Sequence, residues 1–232
     1  MTVKLAVQGL HSWSSLQGYE VLARKIDTAG NVMLPDQFVV PTGDLSWCEL
    51  DKLVLGMVGT SNFLRNTKVP VFINLSAETM DDENLLVAAA EKLHSLRGWI
   101  SNDVVLEVSE KYFASEALLI GQVSYLRELG IKVAIDDLGV DYSDTNRLKL
   151  TRWDYCKVDL AALKRPGNLD WLFEAYRHCQ SLGTQLVLER YEQVRPCEII
   201  KSLKGAWIQG FSMSKPMLID TQARIRTNEI AI

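Results

Sequence analysis

Residues 132–144 read KVAIDDLGVDYSD, and an apolar run, Val133-Ala134-Ile135, leads straight into Asp136 and Asp137. Adjacent carboxylates repel each other unless a positive charge lies between them. The pair is either a solvated turn, where Asp and Gly are common, or a holder of a cation. Other apolar runs end in the same way. Glu20 lies in YEVLAR, Asn74 in INLS, Glu107 in LEVSE and Lys157 in CKVD. Glu189 closes QLVLE, Glu192 stands just beyond it, and Gln209 lies in IQGF. Any one of these residues alone reads as a surface or turn residue. Together they bring six carboxylates and a single lysine to the run ends. Gathered on one rim, such a set costs on the order of several kcal/mol unless its charge is compensated. Oxygen donors without histidine suit Mg²⁺ or Mn²⁺ rather than zinc. Two neighbouring aspartates can serve two such ions, one of them shared, and paired cations are suited to in-line attack on a phosphodiester.

That chemistry requires elements that deliver every run end to one place. Strand candidates are 3–8, 19–24, 71–76, 104–109, 132–136, 155–160, 185–190 and 206–210. Helix-period stretches lie between them. WCELDKLVLGMVG sets Leu50, Leu53, Met57 and Val58 near one face, and DENLLVAAAEKLHSL sets Leu85, Ala89, Leu93 and Leu96 on another. SEALLIGQVSYLREL, LDWLFEAYRHCQSL and RPCEIIKSL follow, and Gly130, Gly183 and Gly205 mark passages from helix to strand. Eight strands with intervening helices predict an α/β fold, a single TIM-like (β/α)8 barrel. An open doubly wound sheet competes with it, although no G-x-G-x-x-G follows a strand. Either fold gathers the strand ends on one rim. No Pro/Gly/Ser-rich boundary breaks the chain, so residues 1–232 read as one domain.

The formal net charge is −4 and no Lys/Arg-rich stretch occurs, which argues against DNA binding. Cys48, Cys156, Cys179 and Cys197 form no C-x-x-C and no zinc spacing. Cys156 reads as a small buried hydrophobe in strand six, pointing away from Lys157. No apolar run reaches the ~18 residues of a membrane span, and the N-terminus lacks the apolar core of a signal peptide. The expectation is a cytoplasmic protein with no membrane contact.

Taken in order, GYEVLAR (18–24), INLS, LEVSE, DDLGVDYS, CKVD, LERYE and QGFSMSKPM resemble the motifs of the EAL domain family, which hydrolyses cyclic di-GMP. The resemblance runs from Gly18 to Met217 and is specific as a combination. It implies a TIM-like barrel with the first strand antiparallel. It also implies two divalent cations, Mg²⁺ or Mn²⁺. Glu20, Asn74, Glu107 and Asp136 would hold the first, and Asp136 would bridge to a second completed by Asp137 and Glu189. Lys157 would orient the attacking water and Glu189 would accept its proton, with Glu192 and Gln209 in support. Arg24 would contact a substrate phosphate, with Gln8 and Leu22 also in the substrate site. Glu110 would brace the loop after Asp137.

The chain departs from the family pattern at several places. The signature reads E-V-L, with Val21 in the middle. Val140-Asp141 stand where the family has Thr-Gly, Leu138 replaces Phe, and Arg190-Tyr191 replace Gly-Val. A glycine takes a positive φ cheaply and an aspartate only partly replaces it. No proposed ligand is lost. The leading reading is therefore a phosphodiesterase that converts cyclic di-GMP to linear pGpG. A catalytically degenerate module, binding cyclic di-GMP or an unidentified protein partner, is the alternative. The resemblance also implies a homodimer through LGVDYSDTNRLKLTRW, which carries Val140, Tyr142, Leu148, Leu150 and Trp153, although core packing explains Leu148 and Leu150 equally well.

Overall fold

All eight expected strands form, and they close on themselves. The computed structural model describes residues 2–39, 45–161, 169–192 and 198–220. β1 (Thr2–His11) runs antiparallel to β2 (Leu16–Ile26), and β3 (Val32–Met33) adds to the outer end of β2. From β2 the sheet continues in parallel through β4 (Val71–Leu75), β5 (Val104–Val108), β6 (Lys132–Leu138), β7 (Tyr155–Asp159), β8 (Gln185–Glu189) and β9 (Trp207–Ile208). Closure comes where Ile208 of β9 pairs antiparallel with His11 of β1. β10 (Met217–Ile219) lies against the other half of β1. This closure excludes the open doubly wound sheet. The antiparallel first strand is as expected.

Helices α1 (Trp47–Val58), α2 (Asn62–Asn66), α3 (Ala77–Asp81), α4 (Glu83–Arg97), α5 (Glu116–Glu128), α6 (Thr145–Leu150), α7 (Asp170–Leu182) and α8 (Glu198–Ser202), with a 3-10 turn at Pro35–Gln37, complete the described elements. Local chemistry sets their ends. Ser46 and Glu49 form a capping box at α1, Asp82 caps α4 and Ser115 caps α5. Gly130, Gly183 and Gly205 all adopt positive φ, and Gly183 is the left-handed cap of α7. Residues 195–197 of the expected last helix, Cys197 among them, lie outside the described residues. No helix among the described residues is long and apolar enough to cross a membrane.

The helices cover the outer face of the barrel with a large apolar core. On α4 that core takes Leu86, Ala89, Ala90, Leu93 and Leu96, while Leu85 is half-buried, one position off the expected stripe. Cys156 is fully buried in the same outer core as Cys179, as its parity opposite Lys157 requires.

A second, smaller cluster fills the barrel itself: Leu10, Phe72, Val105, Ala134, Tyr155 and Val187, with Trp207 packed against it. These residues fix what lies above them, because side chains two positions apart share a face of a strand. Two residues on from Phe72 is Asn74; from Val105, Glu107; from Ala134, Asp136; from Tyr155, Lys157; from Val187, Glu189; and from Trp207, Gln209. On the reversed strand β1, two residues before Leu10 is Gln8. The apolar layer is the floor of a polar chamber, and period-two arithmetic puts the chemistry on that floor.

One helix residue anchors the rim. Asp51 of α1 is buried, and its Oδ2 accepts from Ser76 N at 2.9 Å, Ser76 Oγ at 2.6 Å and Thr79 Oγ1 at 2.6 Å. It thereby ties α1 to the turn that follows Asn74. Asp51→Ala would leave these donors unmatched and is expected to cost about 2–4 kcal/mol. A loss below about 1 kcal/mol in urea unfolding would contradict this.

Candidate active site

Lys157 stands at the centre of the chamber, with its side chain 1% exposed. Its Nζ lies 2.6 Å from Glu107 Oε1, 2.9 Å from Glu189 Oε1, 3.0 Å from Asp136 Oδ1 and 3.7 Å from Glu20 Oε2. Burial alone would lower the lysine pKa. The surrounding carboxylates, Asp136 foremost, outweigh burial and hold the group well above its ordinary value, so it is an ammonium.

Amide side chains complete the inner ring. Asn74, exposed at the end of β4, donates from Nδ2 to Glu20 Oε1 at 2.8 Å. Gln209 donates from Nε2 to Glu20 Oε2 and, at 3.5 Å, to Gln8 Oε1. Gln8 in turn donates to the Ser214 carbonyl at 2.9 Å, so the β9–β10 connection is tied to the chamber wall.

The Asp136–Asp137 pair faces one cleft because the strand does not stay regular. Asp137 has φ 45°, and the β6–β7 register shifts between Ile135 and Leu138. In a regular strand the second aspartate would point to the outer face. The irregularity and the left-handed residue turn both carboxylates to the same side. Left-handed aspartate is a strained state of the kind that collects at functional sites. One oxygen from each of Glu110, Asp136 and Asp137 lies within 4.8 Å of the other two, a spacing able to hold a metal ion. Glu110 was expected only to brace the loop. Its carbonyl accepts from Tyr142 N at 3.2 Å, and its carboxylate lies in the acidic group.

All of this opens into a cleft of about 790 Å³, also lined by Leu22, Arg24 and Glu192. Leu22 and Arg24 are half-buried on β2. Glu192 is exposed at the mouth, outside the Lys157 ring. The structure also adds Asp159, which is buried at the end of β7 and was not singled out in the sequence. Its place two positions after Lys157 is the signal that could have found it.

The donor set fits divalent cations. It is made of oxygens, it is excessively acidic for its single buried ammonium, and Glu107 Oε2 is buried without a hydrogen bond among the described residues. Burial pushes the Asp137 carboxyl up to about 7, with the neighbouring Asp136 adding to the rise. Burial also lifts Glu107 and Glu189 well above the usual carboxylate range, against the pull of Lys157. A ligand oxygen must lose its proton before it binds a cation, and at acid pH these groups keep theirs. Mn²⁺ affinity is therefore expected to rise from about pH 6 to about pH 8, with proton release on binding. Calorimetry in two buffers of different ionisation enthalpy checks this, and an affinity independent of pH would refute it.

Comparison with known proteins agrees with this geometry. The EAL domain family matches residues 7–216. The chain is 25% identical over 214 residues to the uncharacterized EAL-domain containing protein YkuI of Bacillus subtilis (strain 168), covering 86% of this chain and 51% of that protein. It is 26% identical over 218 residues to the cyclic di-GMP phosphodiesterase PdeF of Escherichia coli (strain K12), covering 88% of this chain and 28% of that protein. The chain thus spans about half the length of one relative and less of the other. The crystal structure of YkuI with substrate c-di-GMP and calcium superposes with a TM-score of 0.77 at 23% identity, covering 95% of this chain and 56% of that one. That likeness speaks for the fold. The family match runs through every rim residue from Gln8 to Gln209, on a barrel whose first strand is reversed, and the chain belongs to the EAL domain family.

Proposed function

We propose that this chain is a cyclic di-GMP phosphodiesterase that opens the cyclic dinucleotide to linear pGpG, with its barrel acting as one domain. The observation that carries the proposal is the buried Lys157 ammonium in contact with four carboxylates on the rim of a cleft large enough for a dinucleotide. A site that only bound its ligand would gain nothing from so costly an arrangement.

Glu20, Asn74, Glu107 and Asp136 would hold one cation, Mg²⁺ or Mn²⁺, and Asp136, Asp137 and Glu189 a second. When bound, such cations supply Lewis acidity toward a phosphoryl oxygen and lower the pKa of water. Lys157 orients the attacking water and stabilises charge that develops beside it. Glu189, in contact with Lys157, takes the proton. Gln209 fixes the Glu20 carboxylate, and Glu192 at the mouth supports the outer side. Arg24 offers a guanidinium to a substrate phosphate, while Leu22 and Gln8 shape the wall against which the nucleotide rests. Three free cysteines among the described residues fit a reducing compartment, and we place the protein in the cytoplasm.

Incubation with cyclic di-GMP and Mg²⁺ or Mn²⁺, followed by chromatography, tests the proposal: pGpG is expected, and its absence with both metals would sink it. One observation favours the second reading, a binding module without turnover. Asp141 and Arg190 hold φ of 44° and 55°, so the two departures from the family pattern sit in backbone states that suit glycine. Binding of cyclic di-GMP without product would establish that reading.

The proposal includes a homodimer. Phe113 and Tyr142 are 71% and 55% exposed, and their rings pack 5.0 Å apart beside the loop that follows Asp137. Leu148 takes the core-packing alternative, and Trp153, expected on that face, is also buried in the core. Tyr142→Glu is expected to shift the protein from dimer to monomer in light scattering, and a wild-type monomer at high concentration would refute the dimer.

A further inference from the structure

Arg190 follows Glu189 at the end of β8 and adopts φ 55°, a strained state for an arginine. Its neighbours hold it there. Tyr191 N donates to the Gln209 carbonyl at 2.9 Å, and Ser212 N donates to the Tyr191 carbonyl at 3.2 Å. Gly210 packs so closely that a Cβ there would fall 2.0 Å from the Tyr191 carbonyl oxygen. The pinned turn aims the side chain back across the cleft. Its Nη1 lies 3.3 Å from Asp159 Oδ2 and its Nη2 lies 3.9 Å from Asp137 Oδ2, although the side chain is 61% exposed.

By close contact the positive charges of the site are divided, although Lys157 also acts on Asp137 at longer range. Lys157 serves Glu20, Glu107, Asp136 and Glu189, and Arg190 serves Asp137 and Asp159. Lys157 is enclosed and cannot leave. The Arg190 guanidinium touches Asp159 and Asp137 from the open side, with its side chain 61% exposed, so it is free to swing into solvent.

We infer that Arg190 is a built-in counter-ion for Asp137 and the buried Asp159, competing with a divalent cation for Asp137. It leaves them when the cation arrives, so occupancy of the outer side is weakened while the inner side is untouched. The inference rests on the reading that the rim carboxylates take divalent cations, but not on turnover.

Calorimetric titration of metal-free wild type, Arg190→Ala, Arg190→Gly and Arg190→Lys with MnCl₂ tests it. The alanine variant removes the charge and keeps the strained backbone, the glycine variant removes both, and the lysine variant keeps the charge. The weaker Mn²⁺ step is expected to tighten about three- to tenfold in the alanine and glycine variants, as for a partly exposed ion pair removed. It should stay within about twofold of wild type in the lysine variant. The tighter step should not move. Wild type binding one ion where the alanine variant binds two would be the same result in its limit. Superimposable wild-type and alanine titrations, a gain confined to glycine, or a lysine variant that tightens like alanine would each overturn the inference. A protein that binds Mn²⁺ in this pattern yet makes no pGpG would sink the phosphodiesterase reading and leave the competition standing.

Discussion

Lys157→Ala is expected to destabilise the metal-free protein by about 3–5 kcal/mol, because it leaves four carboxylates in a buried ring without their cation. The loss should shrink when Mn²⁺ is added, since a bound cation neutralises the same oxygens. Turnover of cyclic di-GMP should fall at least ~10²-fold even in the Mn²⁺-loaded variant, while its affinity for cyclic di-GMP changes by less than about tenfold. The two readouts separate two roles. A lysine needed only for folding would show a stability loss and normal turnover once metal had restored the ring. Unchanged stability in the presence of a chelator would show that the ring tolerates its charge in some other way. Glu20→Ala differs in kind, because it removes a proposed ligand and should abolish turnover outright.

Asp136→Asn is the second large effect. Asp136 contacts Lys157 at 3.0 Å and also belongs to the Glu110–Asp136–Asp137 group, so both proposed cation positions share it. Asparagine keeps the shape and removes the charge. Altering groups that merely support metal ligands costs roughly 10–100-fold in metal affinity, so loss of a shared ligand should weaken Mn²⁺ binding by at least ~10²-fold. Calorimetry on the variant decides the matter, and wild-type-like binding would remove Asp136 from the site.

The parts of this site differ in how legible they are in the sequence. The inner ring is the most legible, because Asn74, Glu107, Asp136, Lys157, Glu189 and Gln209 each stand two residues beyond an apolar residue that fills the barrel, and strand periodicity transmits that order directly. Asp159 follows from the same arithmetic. β3 and β10 do not, since strands of two and three residues carry no pattern of their own. They form because the long β1 and β2 offer edges to pair with. The turning of Asp137 into the cleft is hidden as well, because it depends on an irregular register with β7 rather than on the local residues. Arg190 is a mixed case. Its departure from the family's glycine points to a strained position, but only the packing of Gly210 on Tyr191 explains why the strain persists and where the guanidinium goes.

The central claim is that this chamber directs water onto a phosphodiester of cyclic di-GMP. Reaction in ¹⁸O-labelled water with Mn²⁺, followed by mass spectrometry of the product, tests it most directly. The account predicts linear pGpG carrying one solvent oxygen in its terminal phosphate, formed by wild type and not by Glu20→Ala. Cyclic di-GMP recovered intact, or pGpG formed equally by both proteins, would contradict it.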